Sequence, residues 1–317
     1  MRRAIQLAGA LAFVASILLL TQRSLNLRLA SSAVASPKVT SYVRWNPKKK
    51  LANRMFQFAA AFGIARDRGA VLCGPPILNY RAHRPCPQNT TFTRVDEHGR
   101  FAVHTPVPPP VYSGANLSIL RYRQSWKYFA KYRSELRDWF TPDVRDRRDR
   151  WWKRRVQRRR WAAKRLTTVA VHLRRGDAIT RPDRYLRFPP TAYFRQAMRY
   201  FRDKYGPAVV FVVSSDDPRW AASRKWLSGR SSVVVVEGGH AAELDMAILA
   251  RCDHAIVSVG TFGWWIAWLT GGEAVYFADE FIMEHPFVQG NVRKEDYYPP
   301  EWRPMTGKKP RRGSKVG

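Results

Sequence analysis

After Leu166 the chain alternates between two kinds of segment with little in between. TTVAVHL, AVVFVVSS, SSVVVVEGG, HAIVSVG and AVYFAD are short runs dominated by apolar and β-branched residues. PPTAYFRQAMRYFRDKYG, ELDMAILARCD and WWIAWLTGG lie among them with helix-like spacing, and Phe194, Ala197, Met198 and Phe201 share one face of the first. A strand that is apolar along its whole length must be covered on both sides. Strands that alternate with helices are joined by crossovers. Together these features predict a parallel α/β sheet, whose ligands sit beyond the carboxyl ends of the strands.

Those ends are where the polar residues gather. VAVHLRRGD closes on His172, Arg174, Arg175, Gly176 and Asp177. The next strand closes on Ser214, Ser215, Asp216 and Asp217, the third on Glu237, Gly238 and Gly239. The fourth closes on Ser258, Val259, Gly260, Thr261, Phe262 and Gly263. Two arginines can grip phosphate oxygens through charge-assisted, partly bidentate bonds. A glycine-bracketed turn entering a helix offers backbone N–H groups and the helix dipole to an anion. Asp216, Asp217 or Asp245 can accept from a guanine edge or a ribose hydroxyl. Each element also has an ordinary reading. Arg-Arg-Gly-Asp can pair with itself, glycine turns precede many helices, and Asp-Asp-Pro can simply start one. Their joint occurrence on successive strand ends favours a nucleoside diphosphate. No Asp-x-Asp occurs in the chain, so no metal is expected, and arginine is the candidate for neutralising the diphosphate. One guanidinium about 4 Å from a phosphate charge contributes about 4 kcal/mol at an effective dielectric of 20.

The 317 residues suggest two domains, and 45% hydrophobic residues suffice for a core. The net charge of +32 suits polyanions, acidic membranes or phosphorylated small molecules. LANRMFQFAAAFGIARDRG reads as a helix, AVLCG as a short strand, and Pro75 to Gly114 as irregular surface structure. TPDVRDRRDRWWKRRVQRRRWAAKRL carries a dozen basic residues, with Thr141 and Pro142 as helix-start signals. It reads as a nucleic-acid arm or as a solvated helix whose tryptophans touch the protein body. The lumenal setting argued next favours the second, with no nucleic acid as partner. Acidic glycans or lipid headgroups remain compatible with the same charge.

Arg2 and Arg3 precede an uncharged run over residues 4–20, and 21–40 is rich in Ser and Ala. This predicts a short cytosolic tail at 1–3, a transmembrane signal anchor at 4–20 and a flexible stem at 21–40, with the rest lumenal. A signal peptide cleaved near Ala33-Val34-Ala35 is the competing reading. Sequons at Asn89 and Asn116 fit a lumenal glycoprotein. Cys73 and Cys86 can pair in that compartment, while Cys252 reads as a buried thiol.

H-x-R-R-x-D at His172 to Asp177, followed by a strand ending in Ser-Ser, resembles the fucosyltransferases that use GDP-fucose. DMAILARCDHAIVSVGTFGWWIAWLTGGEAVYFAD is similar to the carboxyl-terminal region of the galactoside alpha-1,2-fucosyltransferases, glycosyltransferase family 11. LANRMFQFAAAFGIARDRG is similar to that family's amino-terminal motif, except that Lys49 and Ala52 stand where the family has glycines.

The resemblance implies a GT-B-like fold of two Rossmann-like domains, an acceptor-side domain at 41–165 and a GDP-fucose-binding domain at 166–317. It implies inverting, metal-independent transfer of L-fucose to the 2-hydroxyl of a terminal β-galactose, by a single-pass type II Golgi membrane protein with a lumenal catalytic domain. Arg175 would hold the GDP phosphates, supported by Arg174 and His172. The turn from Ser258 to Gly263 would hold them from the other side, Asp245 would lie near the guanine or its ribose, and Asn53 and Ser214 would complete the donor site. Asp177 is the first candidate for a general base, or else it only orients the arginines. The alternatives are a GDP-fucose-dependent transferase with another acceptor, and a non-catalytic basic lumenal protein that binds glycans.

Overall fold

The structure is a computed structural model. It describes residues 41–317 other than 48–49, 79–83, 96–101, 105–113, 120–121, 141–143, 158–165, 176–184, 228–229 and 309–317. The expected anchor, the stem, Lys49, Thr141, Pro142 and Asp177 lie outside the described residues. Among the described residues no helix is long and apolar enough to cross a membrane.

Two parallel sheets organise the fold. The smaller comprises β1 (Tyr42–Trp45), β2 (Val71–Cys73), β3 (Thr93–Val95) and β4 (Leu117–Ile119), in the order β2-β1-β4-β3. All its pairings are parallel. β3 falls inside the stretch expected to be irregular. At three residues, with only Val95 buried, it shows no alternation to read. The disulfide Cys73–Cys86 ties the end of β2 to the following loop.

The larger sheet holds β5 (Thr167–Leu173), β6 (Val209–Ser215), β7 (Val233–Val235), β8 (His254–Val257), β9 (Ala274–Phe277) and β10 (Arg303–Met305). Its order is β10-β9-β8-β5-β6-β7, and every pairing is parallel. Numbered within this sheet, that is 6-5-4-1-2-3, the strand order of a Rossmann fold. The order reverses between β5 and β8, so a crevice opens beyond their carboxyl ends. β10 is an edge strand, the position that tolerates its Pro304.

In chain order the helices that matter here are α1 (Leu51–Asp67), α2 (Arg133–Phe140), α3 (Arg145–Trp152), α4 (Thr191–Tyr205), α5 (Pro218–Ala222), α6 (Ala242–Ala250) and α7 (Thr261–Thr270). On α4, Phe194, Ala197, Met198 and Phe201 are all buried, as their spacing predicts. α1 and α7 are apolar nearly all round and therefore sit inside the protein. They pack on each other. Phe56 lies 4.5 Å from the ring of Trp264 and 4.9 Å from that of Trp265. Trp265 donates through Nε1 to the Ala52 carbonyl at 3.0 Å, and Trp264 to the Tyr297 carbonyl at 2.7 Å. These bonds satisfy indole N–H groups that burial would otherwise leave unpaired. The contact joins the start of α1, in the segment of the small sheet, to the helix that begins at the large sheet's carboxyl edge.

Two of the basic segment's three tryptophans, Trp151 and Trp152, lie against the body, and Trp161 falls outside the described residues. Trp151 donates to Glu237 at 3.0 Å and Trp152 to the Ile248 carbonyl at 3.2 Å. Past α3 the chain continues as a π-helical turn over Lys153–Gln157. Cys252 is a buried free thiol whose pKa burial pushes up.

Candidate functional site

β5 ends in a run whose backbone is fixed by its neighbours. Leu173 pairs with Ser215, and the Ser215 hydroxyl donates to the Leu173 carbonyl at 2.9 Å. Beyond it, Asp216 takes hold of both arginines. One oxygen accepts from the Arg174 guanidinium at 2.5 Å, and the other accepts from the Arg175 N–H at 2.7 Å. The Arg175 guanidinium lies 4.4 Å over the Trp220 ring and 3.5 Å from Asp217. Its side chain remains 39% exposed. Asp217 also caps α5, accepting from the Trp220 N–H at 3.0 Å. Asp216 thus serves the arginines rather than standing open to a guanine or ribose, and Asp217 starts a helix, the ordinary reading of Asp-Asp-Pro. Sequence reasoning did not pick out Trp220, which forms the floor under Arg175.

Across the switch in strand order, the Ser258 hydroxyl accepts from the Arg174 N–H at 2.8 Å and lies 3.4 Å from His172 Nδ1. His172 is buried. Desolvation, helped by the Arg174 charge, lowers its pKa to about 3, so it is neutral at ordinary pH. His172 is therefore a buried prop for the turn, not a solvent-facing acid or base. Gly263 is required for this packing, because a Cβ there would lie 2.6 Å from His172 Nδ1. Phe262 covers the other side, with ring centroids 5.5 Å apart.

The turn itself brings a correction. The sequence places the Gly260 N–H among the anion donors. The structure has it donating to Glu280 Oε1 at 2.7 Å. Gly260 has φ +85°, a conformation glycine adopts without strain. This shape turns its N–H back into the protein, while Thr261, Phe262 and Gly263 supply the first N–H groups of α7, which have no carbonyl one turn earlier. Glu280 is fully buried and also bonded to the Tyr298 hydroxyl. Desolvation raises its pKa to about 7, against hydrogen bonds from Tyr298 and Gly260. Glu280 was missed, although AVYFAD-Glu is a fifth strand end and the rule that picked out the other four applies to it.

Asn53 near the start of α1 accepts at one oxygen from Gln124 Nε2 at 2.9 Å and from the Thr261 hydroxyl at 3.2 Å. It ties the α7 start to α1. On the β6 side, the Ser214 hydroxyl donates to Asp245 at 3.3 Å, and Asp245 meets His240 Nδ1 at 3.1 Å. Desolvation raises the Asp245 pKa, opposed by His240 and Ser214. Of the sequon residues, Asn89 is exposed in a turn with φ +58°. Asn116 engages its amide in the small sheet, accepting from the Tyr42 N–H at 2.8 Å and donating to the Thr91 carbonyl at 3.3 Å.

A sheet of Rossmann order, with an arginine pair and a helix start meeting at the switch, defines a Rossmann-type α/β protein with an anion-suited edge. Residues 111–306 match glycosyl transferase family 11, and the chain belongs to that family. It is 35% identical over 190 residues to galactoside alpha-(1,2)-fucosyltransferase 1 of Saimiri sciureus, covering 59% of this chain and 51% of the relative. It is 28% identical over 308 residues to galactoside alpha-(1,2)-fucosyltransferase 2 of Sus scrofa, covering 87% of this chain and 83% of the relative. The chain thus spans about half the length of the first of these relatives. Among solved structures, a GDP complex of a fucosyltransferase from Arabidopsis thaliana is similar with a TM-score of 0.47 and 13% identity, covering 74% of this chain and 70% of the other.

Proposed function

We propose that the protein transfers L-fucose from GDP-β-L-fucose to the 2-hydroxyl of a terminal β-galactose, with inversion and without a metal. We place it in the GT-B-like class, held in the Golgi membrane by the segment at 4–20 with its catalytic part lumenal. The observation that carries the reading is Asp216 pinning Arg174 and Arg175 at the end of β5, beside the start of α7, in a family 11 chain.

In this reading the acceptor hydroxyl oxygen attacks the anomeric carbon of fucose while the bond to the β-phosphate oxygen breaks. The hydroxyl proton leaves to a general base, for which Asp177 is the candidate. Charge then builds on GDP. Stacking on Trp220 and the contact with Asp217 fix one side of the Arg175 guanidinium, and its fork of five donors can turn another edge to phosphate oxygens. The N–H groups of Thr261, Phe262 and Gly263 face the same charge from α7. Stabilisation of a departing anion by fixed dipoles and cations is commonly the largest catalytic contribution. Asp216 keeps the arginines in place before the donor arrives, so little reorganisation is needed. The test is incubation of the full chain with GDP-fucose and a β-galactoside, with and without chelator, followed by linkage analysis. An α-1,2 product that forms equally in chelator supports the proposal. A different linkage, or loss of activity in chelator, refutes the corresponding part.

A further inference from the structure

A cleft lined by arginines flanks the end of β7, next to the proposed donor site. This open cleft has a volume of about 490 Å³ and is lined by Arg147, Arg150, Trp151, Arg154, Arg155, Glu237, His240 and Leu244. Spacings of three and four residues put Arg147, Arg150, Trp151 and Arg154 on one helical face. That face is held against the sheet at Glu237, just past β7, which accepts from Trp151 at 3.0 Å and pairs with Arg155. Among the described residues the other ion pairs of this segment join Arg148 to Asp149 and Asp149 to Arg251. Arg147, Arg150 and Arg154 are exposed on the cleft wall outside these pairs.

A chain of contacts leads from the cleft to the strand-end site. His240 lines it and meets Asp245, Asp245 is bonded to Ser214, and Ser214 sits beside His172 in the pairing of β5 and β6. In a Rossmann fold the phosphates lie at the first strand and the nucleoside extends over the second. Here those strands are β5 and β6. Continuing in that direction leads to β7, two strand spacings or about 10 Å from β5. A nucleoside whose diphosphate sits on Arg174 and Arg175 therefore carries its base toward the arginine cleft. An arginine fork matches the O6 and N7 acceptors of guanine, whereas adenine offers an amino donor in place of O6.

We propose that Arg150 and Arg154, one turn apart on the cleft wall, read the O6/N7 edge of the donor's guanine and set the preference for a guanosine diphosphate. The inference rests on the donor reading above and adds to it the residues that choose the base. The test is calorimetric titration of the full chain, and of an Arg150→Ala/Arg154→Ala variant, with GDP and with ADP. Arg145→Ala, on the same helix but not lining the cleft, controls for net charge, and thermal melting checks folding. The expected result is a wild-type preference for GDP that falls by about tenfold to a hundredfold in the double variant. ADP affinity and the Arg145→Ala variant should be unchanged. An unaltered GDP-to-ADP ratio overturns the inference, and so does an equal loss for both nucleotides, which would make the arginines phosphate counter-charges. Absence of GDP binding in the wild type would instead refute the donor reading itself.

Discussion

Replacing Glu280 by glutamine separates two roles of one buried carboxylate. Glu280 accepts from the Gly260 N–H at 2.7 Å and contacts the Tyr298 hydroxyl. Burial raises its pKa from 4.5 to about 7. The native state thus holds this proton more tightly than the unfolded chain does. The associated stability is complete below the unfolded pKa and is lost as pH rises through the native one. At 1.36 kcal/mol per pH unit the full effect is about 3 kcal/mol, of which about 2 falls between pH 5.5 and 8. Glutamine is nearly isosteric, can keep an oxygen toward Gly260, and does not titrate. Urea unfolding of wild type and Glu280→Gln across that range should show their stability difference moving by about 2 kcal/mol in favour of the glutamine variant as pH rises. Other groups titrate equally in both proteins and cancel. Glu280→Gln should retain GDP affinity because the turn keeps its acceptor. Glu280→Ala leaves the Gly260 N–H without one, at a cost of about 1–3 kcal/mol, and should weaken GDP binding. Parallel pH profiles for wild type and Glu280→Gln would refute the reasoning.

Gly263→Ala forces a Cβ to within 2.6 Å of His172 Nδ1. It should lower unfolding free energy by about 1–3 kcal/mol in urea titrations and weaken GDP binding as the turn shifts. Arg175→Lys keeps the charge but loses both the fork and the stack on Trp220. Steady-state assays should show kcat/KM for GDP-fucose down by about tenfold or more, since a bond to a charged group contributes about 1.5–3 kcal/mol. Unchanged turnover would remove Arg175 from the mechanism. Asp216→Asn should act on both arginines at once, so its effect on GDP affinity should be much less than additive with Arg174→Ala in a double-mutant cycle.

Five strands of the large sheet were legible because they are mostly apolar and the helices between them carry an apolar stripe, as on α4; the edge strand β10, Arg303–Met305, was not anticipated, because an exposed Arg-Pro pair carries no strand pattern. The polar residues at four strand ends could be named for the same reason, since they interrupt runs that otherwise have no polar content. Sequence could not tell which of those residues bind each other. Asp216 turned out to grip Arg174 and Arg175, and the Gly260 N–H turned out to be bonded to Glu280. Such partnerships depend on strand register and on a φ of +85° at Gly260, which local spacing does not encode. The small sheet was harder still. Of its strands only Val71–Cys73 was anticipated, because three- or four-residue strands carry too few positions to show a period. Glu237, His240 and the arginines of α3 come together only through the packing of Trp151 on the edge of the large sheet.

The central claim is that guanidinium groups and the first turn of α7 cradle the donor diphosphate at the reversal of strand order. A crystal structure of the full chain with GDP, grown in chelator, tests it most directly. It should show phosphate oxygens in hydrogen-bond contact with Arg175 or Arg174 and with N–H groups among Thr261, Phe262 and Gly263. A diphosphate bound elsewhere, with Arg175 still lying on Trp220 and touching no phosphate, would contradict it.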